Sequence, residues 1–167
     1  MCCGWKYSWF GVRNKRAFLD PRESEMYELY DEYLGRDFSS DYWSDEGISQ
    51  AGLILSRFTD SDWSALATSC LGKPEKWGIR CAETLGDIPS YNAILVLLQL
   101  LKSVNYDIRV AVLDSIRSHL SSAAYISPHV QEITDAVAQI RASKGVDHIV
   151  NLILTSLEEQ MVRLQMG

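Results

Sequence analysis

Apolar residues recur at helical spacing in eight successive stretches of this chain, with short polar or glycine-containing links between them. Met26, Leu29, Tyr30, Tyr33 and Leu34 fall at i, i+3, i+4, i+7 and i+8, the stripe of an amphipathic helix. In front of it, Asp20-Pro21-Arg22-Glu23 offers a cap, a proline for the first helical position and capping-box spacing. Gly35 predicts its end through a left-handed C-terminal cap. Residues 36–47 break the period and read as a loop. Ile48, Ala51, Leu55 and Phe58 predict a second helix. Ser61-Asp62 caps a third, with Trp63, Leu66 and Cys70 inward and Gly72 at its end. Pro74 opens a fourth that runs to Gly86. Ser90 caps a fifth, with Tyr91, Ile94, Leu95, Leu98 and Leu101 inward. A sixth starts near Tyr106 and turns Ile108, Val112, Ile116 and Leu120 inward. Ser127-Pro128 opens a seventh with Val130, Ile133, Val137 and Ile140. After Gly145 an eighth carries Val146, Ile149, Val150, Ile153, Leu157, Met161 and Leu164. Eight helices with short links leave little length for a sheet, so the pattern predicts an all-α chain.

The order of signals adds an architecture. Leu85-Gly86-Asp87-Ile88-Pro89 reads as helix end and tight turn, followed by the apolar run Tyr91 to Leu101 and then Tyr106-Asp107-Ile108-Arg109-Val110-Ala111. This last segment echoes Trp77-Gly78-Ile79-Arg80-Cys81-Ala82 at an offset of 29, while Leu85 and Ile116 correspond at 31. A spacing of that size is the length of one short helical hairpin. It predicts antiparallel hairpins stacked in series, an arrangement that presents an extended face to another macromolecule.

Asp107-Ile108-Arg109, Ala111 and Ile116 resemble the second helix of HEAT-like repeats. Pro74, Ala82, Leu85 and Gly86 match in part, with Gly78 where an Arg or Asp is expected. The resemblance spans roughly residues 48–143 and implies a short HEAT-like α-solenoid. In that family an arginine placed like Arg80 or Arg109 satisfies helix ends and neighbouring carboxylates. Asp62-Trp63 through Leu66, Lys73-Pro74, Trp77, Arg80 and Ala82 to Asp87 also resemble small HEAT-like immunity proteins of bacterial toxin systems. That likeness implies a single-domain cytoplasmic protein that neutralises a cognate toxin domain by binding, with no chemistry of its own. The alternative it leaves open is a HEAT-like scaffold or accessory subunit of an enzyme complex.

At 167 residues and 47% hydrophobic, the chain can bury one sizeable core. Residues 20–167 are expected to form a single helical domain. Residues 1–19, with Trp5, Tyr7, Trp9, Phe10 and Phe18, are expected to pack onto it as an aromatic, basic segment. No uncharged apolar run reaches 18 residues, which predicts no membrane span. The start lacks the apolar core of a signal peptide, which predicts a cytoplasmic location.

Charge changes the picture more than composition does. The net −6 is concentrated: residues 20–62 hold twelve acids against three bases, residues 1–19 carry +4, and residues 63–167 carry −1. A negative field of that kind repels phosphate and attracts a basic protein. The acids are interleaved with aromatics, which serve as interface anchors. Glu28, Asp31, Glu32, Asp37, Asp41, Tyr42, Trp43, Asp45 and Glu46 are therefore the expected partner-binding residues. Tyr27 is a further candidate anchor, and Tyr30 and Tyr33 are expected to face the core. The expected partner is a basic protein, by the resemblance a nuclease-type toxin domain, met by a monomer. No nucleic acid or membrane partner is expected. HEAT-like DNA glycosylases need a basic groove, whereas Lys73, Lys76, Arg80, Lys102, Arg109 and Arg117 are offset by acids.

Enzyme chemistry finds little footing. His119, His129 and His148 have no metal-ligand spacing and read as solvated or capping side chains. Cys70 and Cys81 sit in helical stretches and read as buried small hydrophobes. There is no phosphate-binding glycine loop and no Gly-x-Ser-x-Gly. The acids of residues 20–46 lie on an exposed helix side, where no cleft raises a carboxyl pKa for glycoside hydrolysis. No cofactor, metal or catalytic residue is expected.

Overall fold

The computed structural model describes residues 25–121, 123–143 and 145–166, and every regular element among them is helical, with no strand. The helices are α1 (Glu25–Gly35), α2 (Ser40–Tyr42), α3 (Ile48–Leu55), α4 (Asp60–Ser69), α5 (Glu75–Gly86), α6 (Tyr91–Leu100), α7 (Tyr106–Ser118), α8 (Ala123–Ile126), α9 (Val130–Ala142) and α10 (His148–Met166). The chain is thus all-α, and each of the eight expected helices is present. The expected start at Asp20-Pro21 and the segment 1–19 lie outside the described residues.

Helices α1, α4 and α6 touch in succession, as do α3, α5, α7 and α10. Between these rows lie the fully buried Tyr30, Leu66, Leu85, Ile94, Leu97 and Ile116. The closest pairing is α5 with α7. Gly78, Ala82 and Gly86 recur every four residues on α5, and two of them face α7 without a Cβ. A Cβ on Gly78 would stand 2.6 Å from Ile108 Cδ1, and one on Gly86 would stand 3.3 Å from the Ser115 backbone Cα. At the far end, the Arg141 guanidinium joins α9 to α10, donating to Glu158 at 2.7 Å and to Thr155 at 3.0 Å.

Local capping follows expectation at Ser90, whose side chain accepts from Ala93 N–H, while α7 starts on a cap not expected, Asn105, which accepts from Ile108 N–H. The third helix differs from expectation. Its cap is Thr59, not Ser61-Asp62, and Asp62 closes the capping box from inside the first turn. The Asp62 carboxylate is buried and accepts from Thr59 N–H at 2.8 Å, Thr59 Oγ1–H at 2.7 Å and Tyr27 N–H at 3.0 Å, tying α4 to α1. Burial alone would raise its pKa; these donors outweigh burial and hold it below the usual carboxylate value. A lowered folded pKa gives stability that is present above the unfolded pKa and lost as pH falls through the folded one. Asp62→Ala is expected to lose about 2 kcal/mol at neutral pH. Its difference from wild type should shrink once pH drops below about 4. Urea unfolding from pH 7 to pH 2 measures both.

Other expectations are corrected by packing. Leu29 (40% exposed), Tyr91 (46%) and Ile149 (69%) face outward, because the apolar stripe is wider than the contact each helix makes. Among the described residues only Gly145 has a positive φ, so Gly35, Gly72 and Gly86 do not end their helices by a left-handed cap.

Candidate functional site

Helix α1 ends where a side chain from α5 takes its carbonyls. Arg80 is 4% exposed. Its guanidinium donates to the carbonyls of Leu34 at 2.9 Å, Arg36 at 2.6 Å and Phe38 at 3.4 Å. The Leu34 oxygen would otherwise be orphaned at the helix C-terminus, where a cation is also favoured by the helix dipole, whereas the Arg36 oxygen also accepts from Phe38 N–H at 3.2 Å. The helix-end role expected for Arg80 is therefore present. Arg109 is half-buried and caps no helix among the described residues.

Held this way, residues 36–47 are not the expected loop. Ser39 accepts from Tyr42 N–H and starts α2, and a π-helical turn, Trp43–Gly47, carries the helix on into α3. The turn rotates Trp43 inward, to 7% exposure. Its ring lies 4.9 Å from the Arg80 guanidinium carbon, and Phe38 lies 5.1 Å from the same carbon. The indole N–H donates to Glu83 Oε2 at 2.6 Å. Burial pushes the Glu83 carboxyl up, against the hydrogen bond from Trp43 and the charge of Arg80. Outside this cluster Tyr42 stays 40% exposed, 4.8 Å from Phe38. Its hydroxyl is 3.4 Å from that of Tyr33. Burial and that contact raise the Tyr33 phenol to about 12.

The expected binding residues separate into three groups. Glu28, Asp41, Asp45 and Glu46 are exposed and form no ion pair among the described residues. Asp31, Glu32 and Asp37 are engaged by Lys73, Arg36 and Lys76. The hydrogen bond from Lys76 holds the Asp37 carboxyl below its usual value. Trp43 is a packing residue and no exposed anchor, because the π turn aims it at α5. Tyr27 is likewise half-buried, its hydroxyl 2.5 Å from Ser69 Oγ. Tyr30 and Tyr33 are buried as expected.

Comparison of the chain with family models, with curated proteins and with solved structures gave no match. Its chemistry is therefore read from its own residues. Burial raises the Cys70 and Cys81 thiols, the reverse of an activated nucleophile. Among the described residues no group of three or more His, Cys, Asp and Glu could hold a metal ion. No described helix is long and apolar enough to cross a membrane. Of the solvated or capping roles expected for the histidines, His119 takes the capping one: it is 3% exposed, and its Nε2–H donates to the Leu85 carbonyl at 2.8 Å, in the last turn of α5. His129 is half-buried and His148 exposed.

Glu83 is the residue that sequence reasoning missed. It belongs to the acid-base-balanced part of the chain and carries no motif. The one available signal was its position three residues after Arg80, which puts both on one side of α5.

Proposed function

We propose that this chain is a binding module, an immunity protein that neutralises a cognate basic, nuclease-type toxin domain through its acidic front end. The observation that carries the reading is the run Ser40–Gly47. There Asp41, Asp45 and Glu46 stand exposed, with no ion pair among the described residues, beside the half-exposed ring of Tyr42. Free carboxylates steer a cationic partner at long range, and an exposed tyrosine supplies apolar contact with a polar tip. Asp31, Glu32 and Asp37, already neutralised by their own bases, contribute less to that field. The order of helix contacts is compatible with a short HEAT-like stack, which would give the front end a rigid support.

Reversing Asp41, Asp45 and Glu46 to Lys is expected to slow association with the basic partner by about 10- to 100-fold at low salt. The effect should fade as salt is raised. Co-purification of the native complex identifies the partner, and stopped-flow mixing at several salt concentrations measures the rate. An association rate that ignores the reversal removes this surface from the reaction.

A further inference from the structure

Trp43 is the one buried side chain of Ser40–Gly47; Asp41, Tyr42, Ser44, Asp45 and Glu46 are exposed, and the buried Gly47 has no side chain. The backbone of this segment packs chiefly on its own continuation, α3. Its inward attachment is the indole, seated on Arg80 and donating to Glu83. On the outside Tyr42 leans on Phe38. A segment with so little buried surface has few contacts to lose on opening.

We propose that Ser40–Gly47 opens and closes as a local unit against α5, that Trp43 is its latch, and that the closed fraction sets how strongly the acidic face engages a partner. The last clause rests on the docking reading above; the latch does not. Closed, the turn holds Asp41, Asp45 and Glu46 in one arrangement. Open, it presents them as a disordered loop that must be ordered on binding. Apparent affinity then scales with the closed fraction.

Gly47 supplies the test. Its φ of −59° and ψ of −46° are helical, so alanine there carries no backbone strain and favours the helix. The obstacle is the latch itself: an alanine Cβ would stand 2.5 Å from Trp43 Cε3. A closed latch and an absent latch thus give opposite signs for Gly47→Ala. Hydrogen exchange of backbone amides reads the difference. With the latch closed, Gly47→Ala accelerates exchange at residues 43–48 at least about tenfold and leaves α5, α6 and α7 unchanged. Trp43→Phe, which keeps a ring and loses the N–H donor, gives a smaller acceleration at the same amides. Slower or unaltered exchange in Gly47→Ala overturns the proposal, as does an equal rise throughout α5–α7, because the segment would not then be a local unit.

A second arm adds a hexa-arginine peptide. It is expected to slow exchange at residues 41–47 of the wild type, and to do so less in Gly47→Ala at the same concentration. If the peptide protects both equally, the coupling of latch to docking falls. If it protects neither while the first arm succeeds, the docking reading fails and the latch stands.

Discussion

Replacing Arg80 with alanine is expected to lower stability by about 3–5 kcal/mol, a large share of what a domain of this size has. The substitution removes a donor from three backbone carbonyls at once, those of Leu34, Arg36 and Phe38, of which Arg36 keeps a second donor, Phe38 N–H. Each buried acceptor left without a donor costs about 1–3 kcal/mol, reduced where water can enter. It also removes the arginine stem and fork that pack against the stacked rings of Phe38 and Trp43. Arg80→Lys keeps the charge, but an ammonium on a flexible stem lacks the planar fork that reaches all three oxygens. It should recover only part, with a net loss of about 1–3 kcal/mol. Urea unfolding followed by far-ultraviolet circular dichroism measures both variants. A loss below about 1 kcal/mol for Arg80→Ala would mean that these carbonyls find other donors.

The second large effect is expected at Gly78, where leucine should cost about 3 kcal/mol or more. The α5–α7 contact is the most extensive in the described chain, and Ile108 already occupies the space over Gly78. A single methyl would have to displace the end of Ile108, and Ile108 can turn to allow it, so Gly78→Ala is expected to cost only about 1–2 kcal/mol. Leucine adds three further carbons with no cavity to enter, and the two helices must separate. Gly35→Ala serves as the control, since an added Cβ there meets nothing within 4 Å. That variant should stay within about 1 kcal/mol of wild type. Comparable losses at Gly35 and Gly78 would contradict the close approach of α5 and α7.

Both variants act on residues whose importance the sequence showed only in part. Arg80 was marked through the HEAT-like resemblance, which implied a helix-end role without saying which helix. Gly78 stood out only as a departure from the repeat pattern; the position of Ile108 gives it a physical reason. Of the expected binding residues, Glu28, Asp41, Tyr42, Asp45 and Glu46 are exposed as their polar pattern suggested. Trp43 is not, because the segment read as a loop is a π-helical turn that holds the ring against Arg80 and Glu83 of α5.

That this protein is all-α, and where its eight principal helices lie, was legible in local pattern alone. Periodicity, caps such as Ser90, and helix openers such as Pro74 act within a few residues, so a local window contains their causes. Where α1 stops, which acids share their charge with a base and which way Trp43 points are settled by packing between distant segments. Those outcomes depend on Arg80, Lys73, Lys76 and Glu83. Arg80 lies 46 positions from Leu34, and Glu83 lies 40 from Trp43. No local pattern encodes a partner at that distance; packing α5 against α1 and the turn before α3 brings it there.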